Sequence, residues 1–325
     1  MYDPMNLPQR NRPTRREFLG AGALAVIGSA LARGTAAADP PVADPRGEQY
    51  IDAHVHVWSD DLVRYPLKAG FPKEKMRRPS FTPEDLFTHT RPCGVTRVVL
   101  IQISYYGSDN SYMLHMMHKY PGIFSGVAVV DPDDKPRATM LALAHQGVRG
   151  FRIGPGQASA EHWLDGDGMA AMWKCAADAG LAICPLINPQ HLPALDRMSA
   201  RFPETPVVID HLARIGIDGQ FRETDIDALC GLARNKNVRV KVSAFSALGA
   251  KKAPHLDLAP LIRRVLNAYG PERLMWATDG PWQMMDGHAY RDSIDLIRFR
   301  LDFLTDHDRA CLLRKTAEKL FFLSS

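Results

Sequence analysis

The segment Ile51-Asp52-Ala53-His54-Val55-His56-Val57-Trp58 alternates polar and apolar side chains. In an extended strand side chains repeat every two residues, so Asp52, His54 and His56 are expected on one face and Val55 and Val57 on the other. Two imidazoles side by side can hold a divalent metal or polarise a carbonyl directly. Two more polar groups stand at the ends of apolar runs. Val207-Val208-Ile209-Asp210-His211 brings a third histidine, and Trp276-Ala277-Thr278-Asp279-Gly280-Pro281-Trp282 brings a carboxylate. A carboxylate after an apolar strand must be solvated, paired or put to use, because burying it bare is costly. Taken singly, a strand-end His or Asp is more often a hydrogen-bonded loop anchor than a functional group.

Bringing such distant side chains together requires a repeating frame. Short β-branched runs at 50–58, 97–104, 124–131, 148–153, 182–187, 206–211, 238–243 and 274–279 alternate with stretches of helical period. Their starts are 24 to 47 residues apart, the spacing of a strand followed by a helical crossover. Before the last run, Leu258, Leu261, Ile262, Val265, Leu266 and Tyr269 form one apolar helix stripe. After it, Thr305 and Asp308 are placed as a capping pair for a helix that buries Ala310, Leu313, Ala317, Leu320 and Phe321. The fold class is therefore α/β. An open nucleotide-binding sheet would carry a Gly-rich turn after its first strand, but Trp58-Ser59-Asp60-Asp61 stands there. Polar residues recur instead at strand C-terminal ends, where a (β/α)8 barrel builds its site, so residues 50–325 read as a single TIM barrel.

The chain has 325 residues, 46% of them apolar and 23% charged, which excludes a disordered or collagen-like protein. Most of its formal charge of +4 sits in the first 38 residues, where five arginines face only Asp3 and Glu17. The near-neutral remainder has no basic stripe for nucleic acid and no polybasic patch for a membrane surface, so a small-molecule partner is expected. A homo-oligomer is left open. Cys93, Cys175, Cys184, Cys230 and Cys311 show no C-x-x-C spacing and read as core residues, with Cys184 the one nearest the expected site.

Thr14-Arg15-Arg16-Glu17-Phe18-Leu19 precedes the uncharged run 20–32, which is too short to span a bilayer. It resembles a twin-arginine export signal. Ala36-Ala37-Ala38 before Asp39 suits cleavage. Residues 1–38 are thus expected to be a removable signal, 39–49 a linker, and the mature protein periplasmic or secreted.

Several ordered motifs accompany the strand ends. They are Asp52-x-His54-x-His56-x-Trp58, Gln102-x-Ser104 with Gly107-x-Asp109-Asn110, Gly126-x-Ala128-Val129-Val130-Asp131-Pro132, Gly147-x-Arg149-Gly150-x-Arg152, Ile209-Asp210-His211 and Trp276-x-Thr278-Asp279. Together they resemble the amidohydrolase superfamily, in its amidohydrolase-2 branch that includes sugar lactonases and 2-pyrone-4,6-dicarboxylate lactonase. The resemblance implies that His54, His56, His211 and Asp279 surround a scissile carbonyl, with Asp279 activating water as general base. It also implies a place for a divalent metal on those same four residues. Binuclear relatives carry a bridging lysine on strand four, where this chain has Arg152; mononuclear relatives often add a histidine from strand five, where Ala182 to Asn188 has none. At most one ion, zinc in type, is expected, and metal-independent chemistry stays open.

Arg152 fits an anion clamp, since guanidinium pairs bidentately with carboxylate, and a structural ion pair is the competing reading. Arg214, Arg77 and Arg78 belong to loops expected near the same mouth. Ser104, Gln102 and Tyr105 could hydrogen-bond ring oxygens, and Trp282 is expected to line the substrate site. The leading expectation is an exported hydrolase that opens a lactone or related cyclic ester of a small, acidic substrate. A metal-dependent decarboxylase and a non-catalytic small-molecule binder are the alternatives.

Overall fold

The computed structural model describes residues 49–322. Eight strands, β1 (Tyr50–Val55), β2 (Val95–Ile101), β3 (Phe124–Ala128), β4 (Val148–Ile153), β5 (Ala182–Pro185), β6 (Val207–Ile209), β7 (Val238–Val242) and β8 (Leu274–Trp276), form one sheet in sequence order. Every neighbouring pair from β1 to β8 is parallel. The helices are α1 (Pro83–Thr90), α2 (Ser111–Lys119), α3 (Pro136–Ala144), α4 (Asp167–Ala179), α5 (Leu192–Arg201), α6 (Glu223–Gly231), α7 (Ala259–Tyr269), α8 (Tyr290–Asp295), α9 (Asp306–Ala310) and α10 (Thr316–Phe321). This is the expected (β/α)8 barrel. The α7 stripe is buried as its spacing predicts, and Thr305 and Asp308 form the expected reciprocal cap of α9. The expected signal and linker, apart from Gln49, lie outside the described residues.

Strand alternation sorts the core into two shells. Val55, Phe151, Ile183, Val207, Ile209, Val240, Val242 and Trp276 face the helices in the larger apolar cluster. Ile51, Ala53, Val99, Ile101, Val127, Ala182, Cys184, Val208, Met275 and Ala277 fill the barrel interior, and Ala317, Leu320 and Phe321 of α10 close its floor. Small and β-branched side chains suit that narrow space, as in barrels generally. Cys184 belongs to this interior, where burial pushes its thiol up to about 12 and keeps it a protonated core group.

Two sequence expectations change. The strands begin within two residues of the predicted starts and all except β4 end earlier, because the polar segments beyond them leave the ladder. His211 (φ 54°) and Asp279 (φ 67°) adopt left-handed backbone, which no paired strand residue can. Nor do Asp52, His54 and His56 share a face. The pairing of β1 with β2 shifts register between Asp52 and Val55, so the strict period of two is broken. Ile51 and Ala53 point inward below the break, His54 and His56 above it, and Asp52 is turned to Thr278 and Tyr290.

The barrel closes between β8 and β1 through one isolated parallel bridge, Val55 to Gly280. His56 N–H donates to Gly280 O at 2.8 Å and Asp279 N–H to His54 O at 3.0 Å. Closure thus fixes the backbone of the first and last site residues against each other.

Candidate active site

His54 and His56 leave β1 pointing inward, His211 follows β6, and Asp279 follows β8. His54 Nε2 and His56 Nε2 each lie 3.4 Å from Asp279 Oδ1, and His211 Nε2 lies 3.7 Å from the same oxygen. The two Nε2 atoms of His54 and His56 are 3.3 Å apart. The four side chains expected to converge therefore do so, at the C-terminal mouth of the barrel. Left-handed backbone is uncommon for residues other than glycine, and it is what turns His211 and Asp279 inward immediately after their strands.

Three ligand atoms of a tetrahedral zinc, each about 2.0–2.1 Å from the ion, are separated by roughly 3.3–3.4 Å. The Nε2, Nε2 and Oδ1 triangle of His54, His56 and Asp279 has those edges. A second group, His54, Asp210 and His211, also brings three ligand atoms within 4.8 Å. Two imidazoles and one carboxylate are borderline donors that suit zinc. The residues present fit one divalent ion.

The other ring nitrogens are held from behind. His56 Nδ1 donates to Ile101 O at 2.8 Å. Ser243 Oγ donates to Lys241 O at 3.4 Å and so accepts from His211 Nδ1 at 2.8 Å. Both imidazoles consequently present an Nε2 lone pair to the centre. Burial lowers the His211 pKa to about 4, against the pull of Asp279 and Asp210, so it is neutral at ordinary pH.

Beneath His54 lies a charged cluster that sequence reasoning missed. Lys241 of β7 is fully buried, with Nζ 3.0 Å from Asp210 Oδ1 and 3.2 Å from His54 Nδ1. Asp210 Oδ1 is 3.3 Å from His54 Nδ1, and its Oδ2 accepts from Arg152 Nη2 at 3.2 Å. Burial alone would raise Asp210, but Lys241, His54 and Arg152 outweigh it and hold the carboxyl well below the usual carboxylate range. Burial and Lys241 keep His54 far below the usual imidazole value. The missed signal was alternation: Val238, Val240 and Val242 face the helices, so Lys241 and Ser243 between and after them had to face inward.

The expected substrate groups divide. Trp282 is half-buried, 6.4 Å from His56 between ring centroids, and stacked on Trp58 at 5.9 Å. Tyr105 meets Trp58 edge-on at 5.2 Å, extending that aromatic wall. Arg152 enters the site from β4 and is paired with Asp210, with its Nε buried and without a hydrogen bond. Gln102 Nε2 donates to Asp109 O at 2.6 Å and Gly107 O at 3.3 Å, bracing the loop after β2. Ser104 is exposed in that loop and Arg214 is half-buried after β6. In the loop 68–80, Arg77 grips both oxygens of the Asp286 carboxylate, at 2.7 and 2.9 Å, and Arg78 O accepts from Trp58 Nε1.

The fold agrees with the comparisons to known proteins. The chain belongs to the amidohydrolase family, whose model matches residues 51–323, and it is accordingly an enzyme. It is 30% identical to the L-fucono-1,5-lactonase of Burkholderia ambifaria over 73% of this chain and 82% of that one. It is 27% identical to the D-galactarolactone isomerase of Agrobacterium fabrum over 91% and 98%. A solved structure provisionally assigned as a 2-pyrone-4,6-dicarboxylic acid hydrolase, from Pseudomonas putida, superposes with a TM-score of 0.73 at 26% identity, covering 84% of this chain and 97% of that one.

Proposed function

We propose that this enzyme hydrolyses the ring ester of a small, oxygenated lactone. The observation that carries the reading is the convergence of three imidazole Nε2 atoms on one carboxylate oxygen, at 3.4, 3.4 and 3.7 Å. Asp279, which keeps 16% of its side chain exposed toward the mouth, is the group that removes a proton from the attacking water. Of the imidazoles, His54 alone can turn an Nε2–H toward the charge that grows on the carbonyl oxygen, because His56 and His211 present lone pairs to the centre. A divalent ion held by His54, His56 and Asp279, with His211 beside them, would act as a Lewis acid at that oxygen. The lactone-directed relatives support the ester ring as substrate, and Trp282 on Trp58 offers it an apolar platform.

Ring opening of a lactone releases a proton at neutral pH, so a pH indicator follows it directly. Aldonolactones and a pyrone dicarboxylate lactone, each incubated with the enzyme, separate sugar from aromatic-acid specificity. NMR of the product separates hydrolysis from isomerisation to another ring size, the reaction named for one relative. No acceleration with any lactone overturns the proposal.

The finer elements rest on the sequence. An acidic substrate is the expectation the sequence placed on Arg152, whose Nη2 pairs with Asp210 in the structure, and export is supported by the twin-arginine segment at Arg15 and Arg16. Fractionation of cells tests this: the unaltered chain should reach the periplasm and the chain with both arginines replaced by lysine should not; cytosolic retention of the unaltered chain would remove export, and unchanged delivery of the variant would remove the twin-arginine route.

A further inference from the structure

His56 and His211 each have their Nδ1 proton assigned by a single acceptor, Ile101 O and Ser243 Oγ. His54 does not. Its Nδ1 faces a donor and an acceptor at almost equal range, Lys241 Nζ at 3.2 Å and Asp210 Oδ1 at 3.3 Å. The two neighbours ask for opposite tautomers.

If Lys241 donates to Nδ1, the proton of His54 sits on Nε2. That proton then points at the Nε2 lone pair of His56, 3.3 Å away. The result is a directional chain, Lys241 Nζ to His54, His54 to His56, His56 to Ile101 O, in which every ring nitrogen has a complementary partner. If Asp210 accepts from Nδ1, two Nε2 lone pairs face each other at 3.3 Å beside a carboxylate oxygen. A cation between them relieves that arrangement. Asp210 Oδ1 touches both Lys241 and His54, so it is placed to accept from Nδ1 in this second form.

We propose that His54 is a two-tautomer element: Lys241 holds the Nε2–H form, which without a metal donates to His56 and reaches a substrate carbonyl only by leaving that acceptor, and Asp210 holds the Nδ1–H form, which ligates a divalent ion. The ring stays neutral in both, so the exchange moves a proton within His54 and needs none from solvent. Lys241 is thus a positioning residue that weakens the hold of the site on a divalent ion, and Asp210 one that strengthens it. This rests on the site assignment above and not on the substrate.

The test uses metal-free full-length protein labelled with 15N-histidine. Long-range proton–nitrogen spectra report which ring nitrogen carries the proton, and the His54 signal is identified by its loss in His54→Asn. The expected result is an Nε2–H His54 in the unaltered protein and a shift toward Nδ1–H in Lys241→Met. Zinc affinity, read by competition with a chromophoric chelator, is expected to rise tenfold or more in Lys241→Met and to fall tenfold or more in Asp210→Asn. An Nδ1–H His54 in the unaltered metal-free protein overturns the proposal, whether or not the variants fold. So does weaker zinc binding in a folded Lys241→Met, which is what simple loss of a supporting group would produce. Lactone assays do not enter, so a wrong substrate class leaves this outcome legible.

Discussion

Asp52 Oδ2 and Thr278 Oγ1 lie 2.5 Å apart across the seam between the first and last strands. The same carboxylate accepts from Thr278 N at 3.0 Å, His54 N at 3.1 Å and Tyr290 Oη at 2.8 Å. Four donors compensate a group that burial nevertheless pushes up to about 6. With only one bridge between β1 and β8, these contacts carry much of the closure. Replacing Asp52 by alanine strands all four donors and is expected to cost about 3–5 kcal/mol in urea unfolding. Thr278→Val removes a single hydroxyl and should cost roughly 1 kcal/mol. Equal effects from the two would show that the seam does not depend on the carboxylate.

Asp279→Asn keeps the shape of the side chain and the backbone bond of residue 279 to His54 O, but it cannot take a proton. Turnover of a lactone substrate should fall by about 100-fold to 10,000-fold with an unchanged melting temperature. Retained activity would remove Asp279 from the role of base.

The donor set of His54, His56 and Asp279 predicts uptake of one zinc per chain after chelator treatment, measured by elemental analysis. His56→Ala should weaken that uptake by more than about 100-fold, since it removes a ligand whose orientation Ile101 O has preset. Two tightly held ions per chain would contradict the site described.

His211 has a folded pKa near 4, below the ordinary imidazole value of 6.5. The unfolded chain therefore binds the proton first, and the stability this histidine contributes at neutral pH is lost as pH falls from about 6.5 toward 4. Asp52, raised to about 6, acts in the opposite sense between about 6 and 3.8. Total stability would mix the two, so the measurement is the difference between metal-free protein and His211→Asn. That gap should shrink by roughly 2–3 kcal/mol between pH 7 and pH 4.5 in urea titrations. A constant gap would mean that His211 is not held neutral.

Trp282 stands on Trp58 beside His56 and leads the aromatic wall of the mouth. Trp282→Ala should raise KM for the preferred lactone by about tenfold, leaving kcat within a few-fold. A kcat loss with unchanged KM would assign this ring to the chemical step instead.

Much of the architecture could be read from residue order, because alternating valines and a regular strand spacing leave a parallel barrel few competitors. His54, His56, His211 and Asp279 were readable for the same reason: polar groups ending apolar runs must meet where the runs end together. Asp52 was misplaced because a register shift within six residues has no mark in a pattern of alternating side chains. Lys241 went unseen because a lone lysine in a strand is ordinarily solvated, and only its partners, Asp210 thirty-odd positions earlier and His54 at the opposite end of the chain, make an inward lysine tolerable. Gln102 and Arg152 illustrate a further limit, since the carbonyls and carboxylate that engage them are neighbours only after folding.

The floor of the barrel is supplied by α10, which follows all eight strands. Leu320 and Phe321 cover Ile51, Val99 and Val127 from below, so the apolar lining of the cylinder depends on one short helix as its plug. Charged residues at 320 and 321 would leave that lining facing water while every strand pairing stayed available.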